Sequence, residues 1–147
     1  MRYRRLAIVL MLLSSCLLTV SAQRRTNHAL SVEFISATEL RDKLARNERV
    51  TIIDVRATSG YVESTDKIKG AIHVKLRRLR SRLQFPPFKS VPRDSEVVTY
   101  CACEDDEASV RAAQILIDAG FTRVRALKGG WEMWRKIKGP VEQRPRA

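Results

Sequence analysis

Val97-Val98-Thr99-Tyr100-Cys101-Ala102-Cys103-Glu104-Asp105-Asp106-Glu107-Ala108-Ser109 is the stretch whose reading decides the fold. An apolar, β-branched run ends at two cysteines, a polar loop follows, and a helical pattern begins. A strand–loop–helix turn of this kind puts a thiol at the carboxyl edge of a sheet, beside the N–H groups of a helix start. Those groups carry partial positive charge and favour a thiolate. Ligand sites of open α/β sheets lie at that edge. Chemistry is therefore expected in this loop.

Downstream, residues 108–119 read as a helix with Ala112, Ile115, Leu116 and Ala119 inward, stopped by Gly120. A strand over 124–127, a tight Gly129-Gly130 turn and a short helix over 131–137 follow, ended by Gly139-Pro140. Trp131 and Trp134, three apart on that helix, read as core packing. Upstream, Pro86-Pro87 breaks the chain and Pro92-Arg93-Asp94 turns it into the central strand over 96–101. Before that lie a basic helix over 75–83, a short strand over 70–74 with His73 as a packing or hydrogen-bonding residue, and a loop over 56–69. Val50-Thr51-Ile52-Ile53-Asp54-Val55 is a run of the kind buried on both faces of a parallel sheet. Ahead of it, Ser36-Ala37-Thr38-Glu39 fits a capping box for a helix carrying Leu40 and Leu44 on one face, preceded by a strand over 32–35. A helix joining two such strands implies a right-handed crossover.

The 147 residues suffice for one domain with a real core, and a 44% hydrophobic, 30% charged composition is globular rather than disordered. A formal net charge of +12 favours polyanionic surfaces, anionic lipids or small anions. The three cysteines do not make a disulfide framework. A basic start, Met1-Arg2-Tyr3-Arg4-Arg5, precedes an apolar run over 6–20 and the short residues Val20-Ser21-Ala22, the pattern of a secretory signal cleaved after Ala22. Two other readings stay open: a lipoprotein box at Leu13-Ser14-Ser15-Cys16, with lipidation at Cys16, and an uncleaved anchor, the run being close to the ~17-residue limit for a span. Each exports the domain, to the periplasm or the extracellular space. Cleavage removes Arg2, Arg4 and Arg5 and lowers the charge of +12 by three. The organisation expected is a signal peptide over 1–22, a flexible lead-in over 23–31, one domain over 32–140 and a polar tail over 141–147.

Asp54-Val55-Arg56, Lys69-Gly70-Ala71-Ile72, Tyr100-Cys101, Ala112-Ala113 with Leu116, Gly120-Phe121, residues 124–127, and Gly129-Gly130-Trp131 with Trp134 together resemble a single rhodanese-like domain, in order, over residues 34–139. The resemblance implies an α/β, three-layer fold: a five-stranded parallel sheet flanked by helices. It also implies sulfur transfer through a cysteine persulfide on the loop after the fourth strand, with no cofactor. Asp54 and Arg56 resemble the family's structural pair near the active edge, read as loop anchoring.

The sequence departs from the family in three places. Asp66-Lys67-Ile68-Lys69-Gly70 replaces the usual Gly-His-Ile-Pro-Gly. The active loop is Glu104-Asp105-Asp106-Glu107, where the family's is commonly neutral or cationic. There are also two candidate cysteines. Cys101 directly follows the tyrosine, as the nucleophile usually does, but counting back from Ala112-Ala113 and Gly120 reaches Cys103 without a gap. Cys103 is the favoured nucleophile and Cys101 the alternative or partner thiol. Some relatives look similar, with Tyr-Cys-x-Cys followed by a Glu-Ala stretch.

The expected chemistry is attack by the Cys103 thiolate on a donor's outer sulfur and delivery of that sulfur to a thiol, cyanide or sulfite. The loop's N–H groups are expected to converge on the thiol as a nest. Four carboxylates oppose the thiolate and repel thiosulfate if they face the pocket, and are mostly screened if they face solvent. Arg111 is a candidate to offset them. Ser109 is expected to cap the helix, or else to donate to the sulfur; Ala108 completes the loop. A second use of both thiols stays open: a disulfide, which an oxidising compartment permits, or passage of a persulfide between them. His28 and His73 are not at ligand spacing, so no metal is expected. The other function class is a non-catalytic binding module with the acidic loop as its recognition surface. Lys75, Arg77, Arg78, Arg80 and Arg82 form a solvated face or a dock for an anionic partner or lipid headgroups. No aromatic interleaving supports nucleic-acid binding, and oligomeric state stays open.

Overall fold

The computed structural model describes residues 32–145. The leader with Cys16, and the lead-in with His28, lie outside the described residues. The elements are β1 (Glu33–Ile35), α1 (Ala37–Ala45), β2 (Val50–Asp54), α2 (Thr58–Glu63), β3 (Asp66–Ile68), β4 (Ile72–His73), α3 (Leu76–Arg82), a 3-10 turn (Phe88–Ser90), β5 (Glu96–Tyr100), α4 (Glu107–Asp118), β6 (Arg123–Leu127), α5 (Gly130–Lys136) and β7 (Val141–Gln143). Five strands form one sheet in the order β1-β6-β5-β2-β4, and every pairing in it is parallel. The fold is the expected α/β sandwich of helices around a five-stranded parallel sheet.

All five residues of β5 are buried, as the centre of a doubly covered sheet requires. Its side chains alternate between two cores. Val97 and Cys101 join Ile53, Leu79, Ala112 and Leu116 under α3 and α4. Val98 and Tyr100 join Ile35, Leu40, Ile52, Trp131 and Trp134 under α1 and α5. Each such apolar side chain contributes about 1.5–3 kcal/mol when fully buried. This alternation sends Tyr100 and Cys101 to opposite faces and so divides the active edge.

The start of α1 differs in detail from its motif. Ser36 Oγ accepts from Glu39 N at 3.0 Å, but the Glu39 carboxylate accepts from Arg125 at 2.7 Å rather than reaching back. A guanidinium is a stronger partner than a neutral amide. Two segments correct the sequence reading. Residues 56–69 are not a loop: they hold α2 and β3. Residues 141–147 are not merely a polar tail, because β7 pairs antiparallel with β3, Ile68 opposite Val141 and Lys67 opposite Glu142. Both strands are short and mostly polar, so neither shows an apolar period. They are held by backbone pairing and by Lys67 Nζ, which donates to Ala71 O at 2.6 Å and to Glu142. Arg144 ties the end of the chain to Thr65 O at 3.0 Å and Ser64 O at 2.7 Å.

Candidate active site

The central strand ends at Tyr100 and delivers Cys101 into the α4-side core with 1% of its surface exposed. Ala102 is exposed and Cys103 is half-buried. Residues two apart on an extended chain point the same way, and Cys101 and Cys103 are joined as a disulfide with their Cα atoms 5.7 Å apart. The disulfide left open by the sequence is thus the state of this structure. Cys101 O accepts from Trp131 N at 2.8 Å, which fixes the loop against the start of α5. Gly130 makes that approach feasible: its φ is +44°, and a Cβ there would stand 2.3 Å from Cys101 O.

The four loop acids do not act as one cluster. Glu104, Asp105 and Glu107 are exposed, whereas Asp106 is 2% exposed. Asp106 takes a left-handed conformation at φ 57°, and its Oδ2 accepts from Gly129 N at 2.9 Å. Its Oδ1 is buried without a partner. Asp106 therefore pins the loop to the Gly129-Gly130 turn. A pair of exposed like charges at 4 Å interacts by only ~1 kcal/mol in bulk water, and salt lowers this further. The charges of the three exposed acids are thus mostly screened at the sulfur.

Two other expectations are corrected. Ser109 neither caps α4 as an acceptor nor donates to a sulfur; its Oγ donates to Asp106 O at 2.8 Å, while Thr99 Oγ1 donates to Ser109 O at 2.8 Å. The expected nest around Cys103 is also not formed. Glu107 N donates to Asp105 Oδ1 at 3.1 Å and Asp106 N to Cys103 O at 3.4 Å. Oxygen acceptors within a tight turn outcompete a sulfur already bonded to another sulfur. The N–H that does point at a sulfur is that of Cys103, 3.5 Å from Cys101 Sγ.

Cys103 opens onto a cleft of about 730 Å³ shared with Glu104, Glu132, Met133, Arg135 and Lys136. Two acids face two bases there, so the walls carry no net preference for an anion. A second cleft of about 690 Å³ lies beyond the start of α4, lined by Thr58, Lys75, Arg77, Arg80, Ala108 and Arg111. Arg111 belongs to this second cleft and pairs with Glu107 at 3.6 Å. It does not line the cleft onto which Cys103 opens. Arg80 pairs with Asp118 at 3.6 Å. Among the described residues, no three His, Cys, Asp or Glu side chains gather closely enough to hold a metal ion.

Behind the loop, Asp54 and Arg56 form an ion pair with both side chains fully buried. Arg56 Nη2 donates to Asp54 Oδ2 at 2.7 Å and to Asp66 O at 3.1 Å, and Arg56 N donates to Asp54 Oδ1 at 3.0 Å. Tyr100 OH donates to Asp54 Oδ2 at 2.6 Å and accepts from Ile68 N at 3.3 Å. The guanidinium lies over Trp131 at 4.4 Å, with Tyr61 at 5.2 Å and Tyr100 at 5.6 Å, and its Nη1 has no hydrogen-bond partner. Ring faces compensate part of that orphan's lost hydration. Burial, and then the Asp54 charge, push the Tyr100 hydroxyl far above the usual tyrosine range. Burial opposes the charge on Arg56, but the Asp54 carboxylate outweighs it and holds Arg56 above its ordinary value.

This architecture can be set beside known proteins. The sequence pattern of the Rhodanese-like domain matches residues 36–137. The chain belongs to the rhodanese-like family. It is 29% identical over 93 residues to the thiosulfate sulfurtransferase GlpE of Coxiella burnetii, covering 63% of this chain and 78% of that protein. Its structure is similar to that of the Alr3790 protein from Anabaena sp., with 32% identity, a TM-score of 0.63 and coverage of 75% of this chain and 82% of that one. It is also similar to the human single-domain sulfurtransferase TSTD1, with 25% identity, a TM-score of 0.60 and coverage of 72% and 97%.

Within this rhodanese-like domain the sequence named Asp106 only as one acid among four, its place three residues before Ser109 being too weak a signal to separate it, and it missed two other participants. Tyr61 lies on α2, in the segment read as loop, and stacks on His73 with ring centroids 3.6 Å apart. Met133 and its basic neighbours on α5 became part of the cleft only when that helix packed beside the loop.

Proposed function

We propose that the domain is a sulfurtransferase that carries sulfane sulfur as a persulfide on Cys103. The reading starts from the reduced chain. The Cys103 thiolate attacks the outer sulfur of a donor persulfide, the donor's sulfur–sulfur bond breaks, and the donor leaves as a thiolate. An acceptor thiolate, cyanide or sulfite then takes the outer sulfur and frees Cys103. The observation that carries this reading is the position of Cys103: half-buried, at the carboxyl edge of the central strand, and opening onto a cleft large enough for a small thiol. Sulfurtransferase-named relatives support the reaction class. We also propose that the domain works outside the cytoplasm, a reading that rests on the leader pattern alone.

The test is sulfur transfer from glutathione persulfide to cyanide by the pre-reduced chain, read as thiocyanate. Cys103→Ser is expected to fall to the uncatalysed rate. A Cys103→Ser chain that keeps full activity refutes the assignment.

A further inference from the structure

The two sulfurs of the active loop are unlike in access. Cys103 meets the cleft, whereas Cys101 is 1% exposed and packed in the core with Val97, Ala112 and Ala113. A donor of any size therefore reaches Cys103 and not Cys101. Cys101 is bonded here to Cys103. The loop is held in place by groups that do not depend on that bond: Trp131 N on Cys101 O at 2.8 Å and Gly129 N on Asp106 Oδ2 at 2.9 Å. Opening the disulfide thus leaves the two thiols adjacent. The Cys103 N–H, 3.5 Å from Cys101 Sγ, is placed to stabilise a thiolate on Cys101.

We propose that Cys101 is a resolving thiol, and that the domain is a persulfide reductase that releases sulfide and closes the Cys101–Cys103 disulfide. The inference rests on Cys103 accepting sulfur, as argued above. Once Cys103 carries the outer sulfur, the Cys101 thiolate attacks the inner one, Cys103 Sγ. The Cys101–Cys103 bond forms, the bond from Cys103 Sγ to the outer sulfur breaks, and hydrosulfide leaves with the proton given up by Cys101. The two cysteines lose two electrons and the sulfane sulfur gains them. The cycle is reset by two equivalents of a thiol. The first attacks the accessible Cys103 Sγ and frees Cys101; the second displaces the first from Cys103 and leaves as its disulfide partner. An intramolecular thiol held in reach competes with dilute external acceptors, so sulfide release and transfer to an acceptor in excess are alternative fates of the same persulfide.

The experiment uses the full chain, reduced, desalted and mixed anaerobically with one equivalent of glutathione persulfide, with free sulfide and intact mass read over time. The wild type is expected to release one sulfide per chain and to finish two hydrogen atoms lighter than the reduced protein. Cys101→Ser and Cys101→Ala are each expected to hold one extra sulfur atom on Cys103 and to release sulfide no faster than buffer. Two variants are used because Cys101 is buried, and the wild-type result stands without either. A wild type that keeps the extra sulfur and releases no sulfide overturns the resolving role while leaving the carrier role intact. If no chain, wild type or variant, gains sulfur or releases sulfide, both readings fall together.

Discussion

Removing the Asp54 carboxylate is the perturbation whose cost the structure defines best. In Asp54→Ala the Arg56 guanidinium stays fully buried but loses every charged partner. Its remaining side-chain acceptor is Asp66 O at 3.1 Å, with Nη1 already unpartnered. Tyr100 OH loses its acceptor at the same time. Breaking a buried pair from one side costs about 3–5 kcal/mol. That is a large part of the ~5–15 kcal/mol that holds a domain of this size together. At a few degrees per kcal/mol, the expected fall in Tm is roughly 10–20 °C. The cost should be mostly that of the stranded charge. Asp54→Ala combined with Arg56→Met is therefore expected to cost less than the two single changes summed, with a coupling of about 1–3 kcal/mol. Urea unfolding of the four chains, followed by circular dichroism, measures this. An Asp54→Ala loss below ~1 kcal/mol, or costs that simply add, would refute the reasoning and mean that the guanidinium finds water instead.

Two further outcomes follow from the same edge of the sheet. The Tyr100 hydroxyl is held protonated in the folded state, so its contribution is complete below pH ~10, where the unfolded chain's tyrosine begins to ionise, and is lost as pH rises further. Stability should fall by about 1.4 kcal/mol per pH unit from this group above that point; Tyr100→Phe should be less stable at pH 7 yet shallower in its alkaline limb, and an unchanged limb counts against the assignment. In Gly130→Ala the added Cβ collides with Cys101 O, and the left-handed backbone alone costs about 1–2 kcal/mol. Thermal unfolding and thiocyanate formation should both fall in that variant, and a chain unchanged in both would mean that the loop does not depend on this close approach.

The central strand, the Cys-x-Cys loop and the Gly-Gly turn were legible because each is a local pattern: a β-branched run, a pair of thiols two apart, a glycine doublet before a helix. From them and the apolar run over 50–55 a parallel sheet and the edge carrying the cysteines could be stated in advance, while its five strands and three layers were what the family resemblance implied. The strand pair β3–β7 could not, because both strands are mostly polar and their stability comes from pairing across more than seventy residues of chain. Arg111 failed as a neighbour of Cys103 for a related reason. Its distance along the helix was known, but which cleft that helix face borders depends on where α3 packs.

The order of residues along the chain by itself determined the strands of the parallel sheet, the helices on either side of the central strand and the side of that strand on which both sulfurs lie, since backbone geometry repeats every two residues in a strand and every 3.6 in a helix. Only the tertiary structure decided which sulfur meets solvent and which of four neighbouring carboxylates turns inward. Burial is a property of what packs against a residue. Here that is α4 folded back over Cys101, and the start of α5 brought against Asp106 from more than twenty residues along the chain.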